Sequence, residues 1–99
     1  MLAGLTAQGG RATIVAIMPH NIHIQFFTKP GCLLCDEARD LLESLCDEFP
    51  LTIEETNILT DLTLYERYKH MIPVLVFDGG FTLWGRIREA EVRKGLEGR

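Results

Sequence analysis

Excess positive charge is missing from this sequence. Ten Lys and Arg stand against 14 Asp and Glu, a formal net charge of −4 over 99 residues. A nucleic-acid footprint needs a basic surface to meet phosphates, so no nucleic-acid partner is expected. Long apolar runs are missing as well. None approaches the roughly 20 residues that a membrane-crossing helix requires, so no membrane partner is expected. Cysteine is scarce and odd in number, at three. A secreted domain held by bridges would carry an even and larger set. The count suits a reducing compartment, the cytoplasm, with one special pair and one bystander. Internal repeats, low-complexity tracts and linkers are also missing. What is present, 46% hydrophobic and 24% charged residues, is the composition of one small globular domain with a single core. A monomer is expected.

The first residues, "MLAGLTAQGGRATIVAIMP", make a poor secretory signal. The first basic residue is Arg11, and no A-x-A pattern follows. "ATIVAIM" only reaches the lower limit of the about 7–15 apolar residues such a signal needs. Residues 1–19 are read as a loosely ordered leader or an extra strand, with Met18 as an alternative start of translation. Residues 20–99 are read as the domain.

Regular patterning begins at residue 22. In "IHIQFFT" (22–28), Ile22, Ile24 and Phe26 alternate with His23, Gln25 and Phe27, which is strand periodicity. Pro30-Gly31 breaks the run. From Cys32 the period becomes helical. Leu34, Ala38, Leu41, Leu42, Leu45 and Phe49 share a face, with acidic residues opposite and in the first turn. Pro50 ends that helix. "LTIEETNI" (51–58) reads as a second strand, with Leu51, Ile53 and Glu55 on alternate positions, completing a parallel crossover. Thr60 is read as the N-cap of a helix over 61–70, with Leu64, Tyr65 and Tyr68 inward. Pro73 opens "VLVF" (74–77), "DGG" (78–80) is a hairpin turn, and "FTLW" (81–84) returns. The tail reads as a thin amphipathic helix with Ile87, Ala90 and Leu96 inward. The order is β-α-β-α-β-β-α, an α/β domain.

The chemistry concentrates in "KPGCLLC" (29–35). Cys32 and Cys35 lie where a strand hands over to a helix. Two intervening residues in a first helical turn bring the Cα atoms within the about 4.4–6.8 Å a disulfide needs. A helix N-terminus offers unpaired N–H groups and positive potential, which favour the thiolate form of a thiol. Cys32 is then the outer nucleophile and Cys35 the inner, resolving sulfur. Lys29 adds a positive charge nearby, or is a solvated loop lysine. A zinc site would need about four ligands. Cys46, His20, His23 and His70 offer no second pair at suitable spacing, so no metal is expected. An inert pair is the remaining alternative. Cys46 lies roughly 16 Å further along the helix at 1.5 Å per residue and is read as a core-flank residue. The histidines are read as surface or capping groups, and Trp84 and the tyrosines as core or sheet-edge aromatics.

Together, "FFTKPGCLLC" after a strand, the helix that follows, and "HMIPVLVFDGG" some forty residues on resemble the thioredoxin-fold oxidoreductases. The narrower resemblance, over about residues 20–95, is to small glutaredoxin-like proteins. It implies a thioredoxin fold with a four-stranded mixed sheet and flanking helices. It also implies thiol–disulfide exchange with a disulfide-bearing protein or a low-molecular-weight thiol, through a redox-active Cys32–Cys35 disulfide. Lys29 matches the family's lysine, Pro73 its cis-proline, and Ile72 the residue whose backbone pairs with substrate. This chain departs from the family at two places. Leu33-Leu34 replaces Pro-Tyr between the cysteines. "LWGRIRE", with the single Gly85, replaces the Gly-Gly-then-Asp motif that grips glutathione. No cofactor is expected, and glutathione stays an open co-substrate. The alternative from another class is a non-catalytic thioredoxin-fold module that binds a protein or anchors a metal cofactor.

Overall fold

A computed structural model describes residues 21–97; the leader read at 1–19 lies outside the described residues. The elements are β1 (Ile22–Thr28), α1 (Leu33–Leu45), β2 (Leu51–Asn57), a 3-10 turn (Ile58–Thr60), α2 (Leu62–Tyr68), β3 (Val74–Phe77), β4 (Thr82–Trp84) and α3 (Glu89–Glu97). The four strands form one mixed sheet in the order β2-β1-β3-β4. β1 runs parallel to β2, Ile22 opposite Leu51 and Thr28 opposite Asn57. It runs antiparallel to β3, with Phe27 opposite Val74. This is the expected architecture.

The alternation in β1 divides the core in two. Ile22, Ile24 and Phe26 join Ala38, Leu42 and Leu45 of α1, Leu75 and Phe77 of β3, and Val92 and Leu96 of α3. Phe27 points the other way, into a smaller cluster with Ile58 and Val74 that Leu64, Tyr65 and Tyr68 of α2 cover. Phe27 and Tyr68 stack at 4.7 Å between centroids. Helices therefore cover both faces of the sheet, as its buried parallel pair requires.

Four sequence expectations shift. α2 is capped by Asp61, whose Oδ1 accepts from the Thr63 and Leu64 N–H groups at 2.9 and 3.2 Å. The Thr60 hydroxyl instead donates to the Asn57 carbonyl at 2.7 Å, closing the 3-10 turn. A carboxylate can accept two N–H groups and favours the positive helix end, so aspartate takes the cap. α1 stops at Leu45; residues 46–48 form turns, and Phe49, kept from helical geometry by Pro50, packs on the core from beyond the helix. In α3 the inward pair is Val92 and Leu96, one turn apart, and Ala90 is exposed. Ile87 precedes the helix and packs on the core from the loop. Cys46, finally, is exposed. It sits at the C-cap, past the stripe of Ala38, Leu42 and Leu45 and rotated off it.

At the far end of the sheet, α3 lies close upon the β3–β4 hairpin. Phe77 and Phe81 meet edge-to-face at 5.4 Å. A Cβ at Gly95 would stand 2.7 Å from the Phe81 ring.

Candidate active site

β1 ends at Thr28, and Pro30-Gly31 makes the turn out of it. Gly31 holds φ +74°, a left-handed value that a side chain rarely adopts. The turn delivers Cys32 to the N-cap of α1 with extended backbone, φ −109° and ψ 108°. Its Sγ accepts the Cys35 N–H at 3.1 Å, standing where serine or aspartate oxygen usually caps a helix. Cys35 is wholly buried, while Cys32 is half-buried. Their Cα atoms are 5.2 Å apart and their sulfurs are joined. When that bond opens, Cys32 is left beside the unpaired N–H groups of a 13-residue helix, where a thiolate is favoured. Cys35 is left under cover.

The Ile72–Pro73 peptide is cis. Since Val74 pairs with Phe27, Pro73 stands one step further on, level with Thr28, at the end of the sheet that carries the dithiol. Pro73 is buried and Ile72 half-buried. Lys29 is exposed and lines a cleft of about 210 Å³ together with Thr28, Pro30, Gly31, Asp36, Arg39, Glu55 and Asn57.

Within that cleft is a polar network that sequence reasoning missed. The Thr28 hydroxyl donates to Glu55 Oε2 at 2.9 Å. Arg39 donates to both Glu55 oxygens, Nε at 3.0 Å and Nη2 at 2.6 Å, and through Nη1 to Asp36 at 2.8 Å. Asp36 in turn donates its backbone N–H to the Cys32 carbonyl at 3.1 Å. The bonds close a ring around the loop that carries Cys32. Arg39 also lies over the Phe26 ring, 5.9 Å from its centroid. Hydrogen bonds from Arg39 hold the Glu55 carboxyl below its ordinary range; burial opposes this, and the Thr28 hydroxyl assists. Hydrogen bonds from Glu55 and Asp36 hold the Arg39 proton still more firmly than usual. The sequence carried one signal: Glu55 continues the face of Leu51 and Ile53, where an apolar residue is due.

Other groups surround the same end of the molecule. Leu33, between the cysteines, is 70% exposed, and Leu59, Leu62 and Trp84 are exposed too. Leu59 and Leu62 follow the end of β2, and Trp84 pairs with Val74 at the start of β3. Trp84 is thus an exposed sheet-edge residue, while Tyr65 and Tyr68 pack in the smaller core. Cys46 stays apart. Partial desolvation, then Asp47 and Glu43, push its thiol up, away from reactivity. Among the described residues, no group of three or more His, Cys, Asp or Glu is placed to hold a metal ion. No helix among them is long and apolar enough to cross a membrane.

Comparison with known proteins agrees with this geometry. Residues 23–97 match the profile of the Glutaredoxin-like domain (DUF836). A Dictyostelium discoideum protein described as "Glutaredoxin-like protein YDR286C homolog" is 34% identical over 83 residues, covering 78% of this chain and 77% of that one. Among solved structures, a structural-genomics target from X. campestris, XcR50, superposes with TM-score 0.67 at 22% identity, covering 77% of this chain and 97% of that one. A mutant thioredoxin from Halobacterium salinarum gives 0.65 at 18% identity, covering 90% and 84%. These likenesses establish the thioredoxin fold, and the profile match places the chain in the family of glutaredoxin-like domains.

Proposed function

We propose that this protein is a thiol–disulfide oxidoreductase whose catalytic residues are Cys32 and Cys35. The observation that carries the reading is the asymmetry of the pair: an outer sulfur at a helix N-cap and an inner one wholly buried. The reduced Cys32 thiolate attacks one sulfur of a substrate disulfide. A mixed disulfide forms, and the other substrate sulfur leaves as a thiolate and takes up a proton. Cys35 then loses its proton and attacks Cys32 Sγ. The Cys32–Cys35 bond forms, the mixed bond breaks, and the second substrate thiol is released. Two electrons pass to the substrate. Run backwards, the same steps oxidise a dithiol.

Lys29, Ile72 and Pro73 are the supporting residues in this reading. Lys29 contributes positive charge at the cleft, and the Ile72 backbone offers an edge for the substrate chain beside Pro73. The substrate is a disulfide-bearing protein or a low-molecular-weight thiol. Glutathione is the co-substrate with the weakest provision, since Gly85 stands alone before the exposed Arg86. The exposed, free Cys46 favours the cytoplasm, where thiols stay reduced, and the protein is read as a monomer.

The test is a trapping experiment. Cys35→Ser should hold substrates as mixed disulfides, and Cys32→Ser should hold none. Equal trapping by both variants would overturn the assignment. A thiolate titration of Cys32 should give a midpoint below the ~8.5 of a free cysteine. The exposed apolar rim of Leu33, Leu59, Leu62 and Trp84 favours a second reading, a non-catalytic module that docks a protein. That reading requires a pair with no reversible dithiol–disulfide equilibrium, or stoichiometric metal in the purified protein.

A further inference from the structure

Glu55 stands at the end of β2 on the face of Leu51 and Ile53, opposite Phe26, with its side chain about one-third exposed. Arg39 pairs it, and reaches Asp36 through its third nitrogen, Nη1. A pair this open to water adds only about 1 kcal/mol or less to stability. Stability alone therefore gives no reason for this arrangement. Charge at this position does something an apolar pair cannot. Asp36 is bonded through its backbone to Cys32, and Arg39 and Glu55 line the same cleft as Gly31, the neighbour of Cys32. Two carboxylates and one guanidinium thus line a cleft that reaches the residue next to Cys32, whose sulfur becomes negative on reduction.

We propose that Arg39 is a positioning residue for the dithiol: by bridging Asp36 and Glu55 it limits the negative charge beside Cys32 and so sets how readily the disulfide is reduced. The inference rests on the dithiol reading above. Reducing the Cys32–Cys35 bond takes two electrons and two protons. Above the Cys32 midpoint one of those protons is released, leaving a Cys32 thiolate and a Cys35 thiol. The charged groups at this end are Lys29 from the loop, Asp36, Glu37 and Arg39 from α1, Glu55 from β2, Asp61 and His70 flanking α2, and Arg86 after β4. The trio of Asp36, Arg39 and Glu55 carries a net charge of −1. Arg39→Gln makes it −2, Glu55→Gln makes it 0, and the double variant returns it to −1.

The test measures the equilibrium of each protein with dithiothreitol at pH 8, where the reductant closes to its cyclic disulfide. A Cys46→Ser background leaves only the pair to titrate. The reduction constant should fall about threefold in Arg39→Gln, ~14 mV for a two-electron couple, and rise by a similar factor in Glu55→Gln. The double variant should sit near the parent, and Arg39→Lys, which keeps the charge, should sit nearer the parent than Arg39→Gln. The Cys32 thiolate midpoint should move up in the first variant and down in the second. Molar salt should shrink both shifts. Arg39→Gln, Glu55→Gln and the double variant all break the same clamp, so a merely structural role would move them in one direction, with the double variant furthest from the parent. That result, or no shift in either single variant, would overturn the inference while leaving the dithiol reading intact. Failure of the parent protein to form a reversible disulfide would remove both.

Discussion

On the β2 flank of the dithiol, α1 is tied to the sheet by an ion pair within reach of water: Arg39 and Glu55 are each about one-third exposed. On the β3 flank, Phe27, Val74 and Ile58 close against one another with almost no exposed surface. One side is held by direction and charge, the other by apolar packing. Only the charged side can be tuned in small steps. Packing is non-directional and tolerates few changes of volume, whereas a guanidinium–carboxylate fork can be altered one charge at a time. The Cys32–Cys35 pair thus has an apolar wall toward β3 and a charged pair toward β2.

Five measurements separate the two flanks. The largest effect belongs to the sulfur both flanks serve: Cys32→Ser should abolish dithiol-dependent reductase activity, with the fold unchanged by circular dichroism. Next is the apolar side. Ile58→Ala, wholly buried against Phe27 and Val74, should cost about 3 kcal/mol in urea unfolding, with little dependence on salt. The charged side should yield less. Arg39→Gln should cost about 1 kcal/mol or less, because exposed pairs are weak, and molar salt should erase the difference. Its stability is also pH-linked. The Glu55 pKa is lowered in the folded protein from its ordinary 4.5 by Arg39. The clamp therefore contributes fully above that value and fades as pH falls through the lower folded one. Stability profiles of the parent and Glu55→Gln should converge in acid. Smallest of all, Cys46→Ser should change stability by less than about 0.5 kcal/mol and leave reductase activity unchanged.

The same contrast governs what could be read from the sequence. The apolar elements announce themselves by period. Ile22, Ile24 and Phe26 alternate, and Ala38, Leu42 and Leu45 recur at helical spacing, so the sheet and α1 were legible. The dithiol was legible because Pro30-Gly31 places Cys32 at a helix start. The charged network was not, because it joins residues 16 and 27 positions apart through side-chain geometry, and a single sequence gives no reason to pair Arg39 with Glu55 over any other acid. Caps and phases failed for a nearer reason. Thr60 and Asp61 are both good N-caps, and only the 3-10 turn decides between them. Val92 was missed because α3 begins two residues after Ile87, which resets the phase. Cys46 was misplaced because helix α1 ends where it begins to matter, one residue past Leu45.

Gly95 has a meaning for substitution studies. With hydrogen alone at that position, α3 rests directly on the Phe81 ring. Positions 81 and 95 therefore share one volume. In a library randomised at both, survivors should pair a small residue at one with a large residue at the other, so that tolerance at either site is a property of the pair.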